Sequence, residues 1–180
     1  MNHLKRAITL LFCLVSLQTF AQNSYRLKPA QVFDGDVMHK DWEVLVKGNK
    51  IVAAGASLSM QGEDSVIVVE LPGCTLLPGM IEGHSHLFLH PYNETSWNDQ
   101  VLNESRVERT ARAVEHARRT LLAGVTTVRD LGTEGAMYDD VSLKKTIEKG
   151  VIPGPRMLVA TRAIVATGAY GPKAEVPEQE

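Results

Sequence analysis

Cysteine is scarce in this 180-residue chain, with only Cys13 and Cys74. Cys13 falls inside an N-terminal segment with the layout of a leader, so a mature chain would keep one cysteine. One cysteine cannot close an internal disulfide, which leaves a core, a metal or a partner to hold the protein together. Charge of one sign is missing too. Nineteen Lys and Arg against 21 Asp and Glu give a net charge of −2. There is no basic surplus to attract nucleic acid and no acidic tail. No internal repeat or low-complexity segment is present. No apolar run reaches the roughly 20 residues that a permanent membrane helix needs.

What is present begins with that leader. Lys5 and Arg6 precede an uncharged apolar run from Ala7 to Leu17, and Thr19-Phe20-Ala21 places small residues where a signal peptidase reads them. The order is that of a secretory signal peptide over residues 1–21. Cleavage after Ala21 is expected in preference to an uncleaved anchor or a buried core helix. A lipoprotein site at Cys13 lacks the small residue it would want. Export, to a periplasm or beyond, follows. Apolar content of 44% with 22% charged residues then fits a globular chain.

Residues 22–77 carry strand signals. Trp42, Val44 and Val46 alternate with Glu43, Leu45 and Lys47, which predicts a strand with one face more buried. Gly48-Asn49 suits a two-residue hairpin, with Lys50 to Ala54 returning. Asp34-Gly35 marks an earlier turn, and Ser65 to Leu71 is a further β-branched run. Cys74, between Gly73 and Thr75, is expected to be a small buried residue.

From residue 78 the period changes. Met80 to Leu89 is extended and apolar apart from two histidines. Ser105 to Ala123 reads as a helix with capping-box spacing between Ser105 and Glu108 and an apolar stripe at Val107, Ala111, Val114, Ala117 and Leu121. Gly124 can close it. Val125 to Val128 forms the next strand, ending at Arg129-Asp130. Asp139 is expected to cap a second helix through Lys149, closed by Gly150, and Arg156 to Ala160 follows as a strand. Strand, helix, strand, helix, strand implies βαβ units and a parallel sheet.

His84-Ser85-His86 places two imidazoles two residues apart. On a strand such residues point to the same face. Neutral imidazole is a good ligand for zinc and other divalent metals. Taken alone the pair is a weak signal, since such pairs usually sit on surfaces or in satisfied cores. Its setting is more specific: Leu76-Leu77-Pro78-Gly79-Met80-Ile81-Glu82-Gly83-His84-Ser85-His86-Leu87 runs from a sharp entry through an apolar strand to paired histidines at its far end.

This stretch resembles the amidohydrolase superfamily, in which a Pro-Gly, hydrophobic, Ile-Asp/Glu-x-His-x-His segment opens the barrel. Leu122 to Gly132 is similar to the family's second barrel strand, and Gly154-Pro155-Arg156-Met157 to its third. The imidazolonepropionase-like and exported prolidase-like dipeptidase branch is the nearest match. The resemblance implies an α/β chain: part of a small β-sandwich over 22–77, then the first three units of a TIM (β/α)8 barrel over 78–180, with the barrel incomplete.

For the site, the resemblance implies His84 and His86 as metal ligands, most simply to zinc. One divalent metal, or two bridged by a carboxylated lysine, would activate a water for attack on an amide-type carbonyl of a dipeptide or cyclic amide. The remaining ligands and the proton-shuttling aspartate of the family come from later strands, beyond Glu180. No catalytic residue is therefore expected within these 180 residues, and the chain alone is expected to be an inactive N-terminal part. The competing expectation is an exported β-rich binding or structural module, or a degenerate remnant without catalysis.

Other residues carry weaker signals. His90, Tyr92 and Asn93 fall in the first loop after the histidine strand, where barrel enzymes select substrates, or form an ordinary polar loop. Tyr170 sits in a glycine-rich stretch read as a turn. Asp130, at the end of the second strand, is within reach of the metal region but is expected to make structural hydrogen bonds or to pair with a neighbouring charge, and Glu82 either to support a histidine ring or to form a salt link. His116 is expected to face solvent. His39, placed in a turn, and His3 have no assigned role.

Overall fold

A computed structural model describes residues 23–59, 65–164 and 166. The leader, with His3 and Cys13, and the loop containing Tyr170 lie outside the described residues. The chain divides into two compact units between Pro78 and Gly79.

The first unit is a five-stranded sheet built around β1 (Ser24–Phe33). β2 (Met38–Lys40) and β3 (Glu43–Lys47) pair with it antiparallel, and β4 (Lys50–Gly55) pairs with β3. β5 (Val66–Leu76) runs parallel to β1. The hairpin at Gly48-Asn49 forms as expected, with Lys47 opposite Lys50 and Gly48 at φ 56°. Asp34 nucleates the preceding turn, its Oδ1 accepting from the amides of Asp36 and Val37 at 2.9 Å each. His39 belongs to β2 rather than to a turn. Its ring stacks on Trp42 at 3.6 Å and its Nε2 lies 2.8 Å from Asp34 Oδ2.

Two expectations change here. β3 does not bury one face only: Val44 and Leu45 are both buried, and the ladder to β4 shifts register just after Leu45. The unpaired residue at that shift, Val52, belongs to β4; Val44 and Leu45, neighbours on opposite faces of β3, are both covered. The last strand also runs on past Leu71 to Leu76, because β5 absorbs Pro72, Gly73 and Cys74 in an irregularity opposite Ala30. Cys74 consequently stands exposed rather than buried.

In the second unit β6 (Met80–Ser85), β7 (Val125–Asp130) and β8 (Arg156–Val159) form a parallel sheet in that order. The helices are α1 (Trp97–Leu102), α2 (Arg106–Leu122) and α3 (Asp139–Glu148). Strand, helix, strand, helix, strand is the order expected for consecutive barrel units. The short α1, capped by Ser96, was not legible as a period. The core joins Leu87, Phe88, Ala113, Ala117, Val128, Ala136, Leu143 and Met157.

Ser105 caps α2, its Oγ accepting from the Glu108 amide at 3.2 Å, and Gly124 follows the helix at φ 91°. The buried face of α2 keeps only part of the expected stripe: Ala117 is buried and Val114 packs against the core, but Arg109 and Ala113 are buried beside them, while Val107 is 79% exposed. Small alanines let the helix approach the sheet closely, and that proximity outweighs the larger side chains elsewhere. Asp139 lies in the first turn of α3 instead of capping it. The cap position is Tyr138, whose side chain makes no capping bond. Among the described residues no helix is long and apolar enough to cross a membrane.

Candidate metal centre

The site starts with how β6 enters. Gly79 approaches β7 so closely that a Cβ there would meet Thr126 Oγ1 at 2.2 Å. The Met80 amide then donates to the Gly124 carbonyl at 2.9 Å. Pairing runs from Met80 opposite Val125 to Ser85 opposite Asp130, with an extra residue accommodated between Glu82 and Ser85. That irregularity falls at Gly83-His84. Arg129 Nε donates to the Gly83 carbonyl there at 2.7 Å. Bulges beside functional sites re-aim side chains, so the simple alternation of a flat strand does not by itself bring the histidines together.

They are together nonetheless. His84 is the penultimate residue of β6 and His86 lies one residue past its end, with their Nε2 atoms 3.3 Å apart and ring centroids 5.3 Å apart. His84 is exposed and His86 half-buried. His86 Nδ1 donates to the Gly132 carbonyl at 2.9 Å. A carbonyl can only accept, so Nδ1 carries a proton, and in a neutral ring the lone pair is then on Nε2. Such an outer hydrogen bond is what fixes the tautomer of a metal-binding histidine.

The residues fit a divalent ion on these grounds. Two nitrogens each about 2.0–2.1 Å from one tetrahedral ion stand roughly 3.3–3.4 Å apart, which the Nε2 separation matches. Among the described residues no group of three or more His, Cys, Asp or Glu side chains converges as a metal site. The pair therefore supplies at most two of the positions such an ion requires.

Asp130 lies fully buried behind the pair. Its Oδ2 accepts from the Leu87 amide at 3.1 Å and its Oδ1 from the Gly132 amide at 3.2 Å. It thus ties the residue after His86 to the residue that His86 contacts. Burial pushes its carboxyl up to about 6 against the pull of those two amides. Its structural role is as expected. Glu82 supports neither ring: its Oε1 accepts from the His84 amide at 2.9 Å.

His116 corrects another expectation. It is half-buried, and its Nδ1 donates to the Leu87 carbonyl at 2.9 Å. With His86, Leu89, His90, Tyr92 and Glu94 it lines a cavity of about 430 Å³. His90 is held by Glu104, with Nε2 2.8 Å from Oε1, and its amide donates to Gln100 Oε1 at 2.6 Å. Tyr92 is 65% exposed and Asn93 lies on the same open loop.

Arg109 is a buried cation that its charged surroundings in the sequence conceal. It is 2% exposed and donates to three backbone carbonyls: Phe88 from Nε at 3.2 Å, Glu134 from Nη1 at 2.9 Å and Thr133 from Nη2 at 2.5 Å. Burial lowers its pKa, while Glu104, Glu134 and Asp139 nearby oppose that. The signal available was its i, i+4, i+8 spacing with Ala113 and Ala117, a small-residue face with one cation in it.

Comparisons with known proteins agree with this fold. The chain is similar in structure to a Xaa-Pro dipeptidase with methionine bound in the active site, at 22% identity and TM-score 0.68, over 82% of this chain and 36% of that one. It is similar to a prolidase complexed with N-methylphosphonate-L-proline, at 23% identity and TM-score 0.63, over 78% and 32%. A third likeness is to an amidohydrolase, at 26% identity and TM-score 0.62, over 86% and 38%. The chain thus spans about a third of the length of these relatives, and its α/β architecture is that of part of their barrel. No curated protein matches it. The model of the amidohydrolase family matches residues 75–179, from the end of β5 through the paired histidines and all three barrel strands, and the chain belongs to that family.

Proposed function

We propose that the chain forms the N-terminal part of an exported, metal-dependent hydrolase that cleaves amide- or peptide-type carbon–nitrogen bonds, with His84 and His86 as ligands to a divalent metal, zinc in the first instance. The observation that carries this is the Nε2 pair at 3.3 Å with His86 locked through Nδ1 to Gly132. Membership of the amidohydrolase family supports the reaction class. Likeness to a Xaa-Pro dipeptidase and to a prolidase with a phosphonate proline analogue supports a dipeptide substrate, with a cyclic amide as the other small amide the family admits.

When bound, a divalent metal supplies hydroxide near neutral pH and polarises a carbonyl. The chain's own residues do the rest of what is described. His84 and His86 present two neutral nitrogens. The Gly132 carbonyl keeps the His86 proton on Nδ1, so Nε2 stays available. Asp130, through the Leu87 and Gly132 amides, holds the two segments that make this hydrogen bond. The loop with His90 and Tyr92, at the mouth of the sheet, is placed to meet a substrate side chain. The remaining ligands and the acid–base aspartate lie outside the described residues.

The test is zinc titration of the chain followed by calorimetry, together with turnover of an Xaa-Pro dipeptide by the full-length protein. His84→Ala and His86→Ala are each expected to remove zinc binding by the chain and metal-dependent turnover by the whole enzyme. Unchanged zinc affinity or turnover in both variants would overturn the assignment.

A further inference from the structure

The geometry points to Arg109 as the positioning residue for His86: a buried guanidinium that grips the backbone on both sides of the His86–Gly132 hydrogen bond and so sets the tautomer and aim of the ring. This rests on the metal reading of His86 for its consequence, but not for its geometry.

The contacts close a circuit. From Arg109 Nε the path runs to the Phe88 carbonyl, two residues past His86. From His86 it crosses through Nδ1 to the Gly132 carbonyl. The next carbonyl, that of Thr133, returns to Arg109 Nη2, and that of Glu134 to Nη1. Leu87 between them is also fixed, by Asp130 at its amide and by His116 at its carbonyl. Every link beyond the His86 ring is therefore to main chain.

The segment that Arg109 grips is not one that would hold its shape unaided. Gly132, Glu134, Gly135 and Met137 all have positive φ, at 143°, 51°, 104° and 54°. Glu134 and Met137 are not glycines, and such backbone persists only where its surroundings over-determine it. Three N–H donors in a rigid fork supply that constraint, and a single ammonium cannot reproduce it. A buried cation whose hydrogen bonds run to carbonyls is expensive to place in a core. A purely apolar residue on the same face as Ala113 and Ala117 would pack there more cheaply, so the placement makes sense as a means of fixing the loops.

The experiment uses the full chain, metal-free, with ¹⁵N-labelled histidine, at about two pH units above the usual histidine pKa. Long-range ¹H–¹⁵N spectra report which nitrogen of each ring carries the proton. In the wild type His86 is expected in the Nδ1–H form. In Arg109→Lys and Arg109→Gln it is expected to move toward the Nε2–H form that a solvated imidazole prefers, while the signals of His39 in the other unit stay in place. Zinc affinity measured by titration should fall about 10- to 100-fold, the usual cost of losing outer support of a ligand. Arg109→Lys is the variant that keeps the charge if Arg109→Gln does not fold. A folded variant with His86 unchanged in tautomer and zinc affinity overturns the proposal. If the wild type binds no zinc yet the tautomer shifts in the variants, the positioning role stands and the metal reading falls.

Discussion

Replacing Gly79 with alanine tests how β6 is brought beside β7. A Cβ at that position would lie 2.2 Å from Thr126 Oγ1, 2.3 Å from Cγ2 and 2.7 Å from Cβ. Carbon atoms in contact rest at about 3.5–4.0 Å. Turning the threonine about χ1 can move Oγ1 and Cγ2, but Cβ is fixed to the strand, so the strands themselves must part by on the order of 1 Å at that point. The Met80–Gly124 hydrogen bond, at 2.9 Å beside the clash, would lengthen with them. Overpacking of this kind costs about 1–3 kcal/mol. Weakening one hydrogen bond adds up to about 1 kcal/mol. Restricting the unfolded chain returns about 0.4–1 kcal/mol. The net is a loss of about 2 kcal/mol, read as a urea midpoint lowered by about 1 M at an ordinary slope. Unfolding of the second unit can be followed by Trp97 fluorescence in a Trp42→Phe background. The cycle with Thr126→Gly, which removes all three clashing atoms, should recover most of the loss. Thr126→Ala should recover less, since Cβ remains. A midpoint unmoved by Gly79→Ala, or an equal loss in the Thr126→Gly background, would refute the argument.

Two further outcomes follow from the same unit. Burial raises the Asp130 carboxyl to about 6, so the folded metal-free protein holds that proton more tightly than the unfolded chain does. Its contribution to stability is full below the unfolded pKa near 4 and is lost as pH rises through about 6, a difference of about 3 kcal/mol. Asp130→Asn should flatten that part of the stability–pH curve, and an unchanged slope in denaturation between pH 4 and 6 would count against it. Ser105→Ala removes the acceptor for the Glu108 amide and should cost about 1 kcal/mol by the same assay; no change would show that the cap is dispensable.

What depends on local chemistry is legible in the sequence. Gly48-Asn49 makes its hairpin because a tight turn needs a residue tolerant of positive φ. Ser105 caps α2 because its hydroxyl can reach the amide three residues on. The alternation from residue 78 onward gives the parallel sheet, and the paired histidines arrive at its end. What is not legible depends on partners far along the chain. His116 looked solvated among charges, yet its ring finds the Leu87 carbonyl 29 residues away. Arg109 looked like one more charge on a helix, yet its partners lie 21 to 25 positions away. On α2, Ala117 is buried as expected, but Arg109 and Ala113 are covered where Val107 and Ala111 were expected, because closeness of approach rather than side-chain size decided the face. Cys74 became exposed through an irregularity in β5 that no period encodes.

The groups that secure the histidine loop, Arg109, His116 and Asp130, all grasp peptide atoms and ignore the side chains attached to them. Such fastening is blind to the side chains of residues 87 and 88, so long as their main chain keeps its course; Gly132, at φ 143°, stays bound to its residue type. Changes of side chain at Pro91, Tyr92 and Glu94 can then reshape the cavity wall while the hydrogen bonds that hold His86 stay in place.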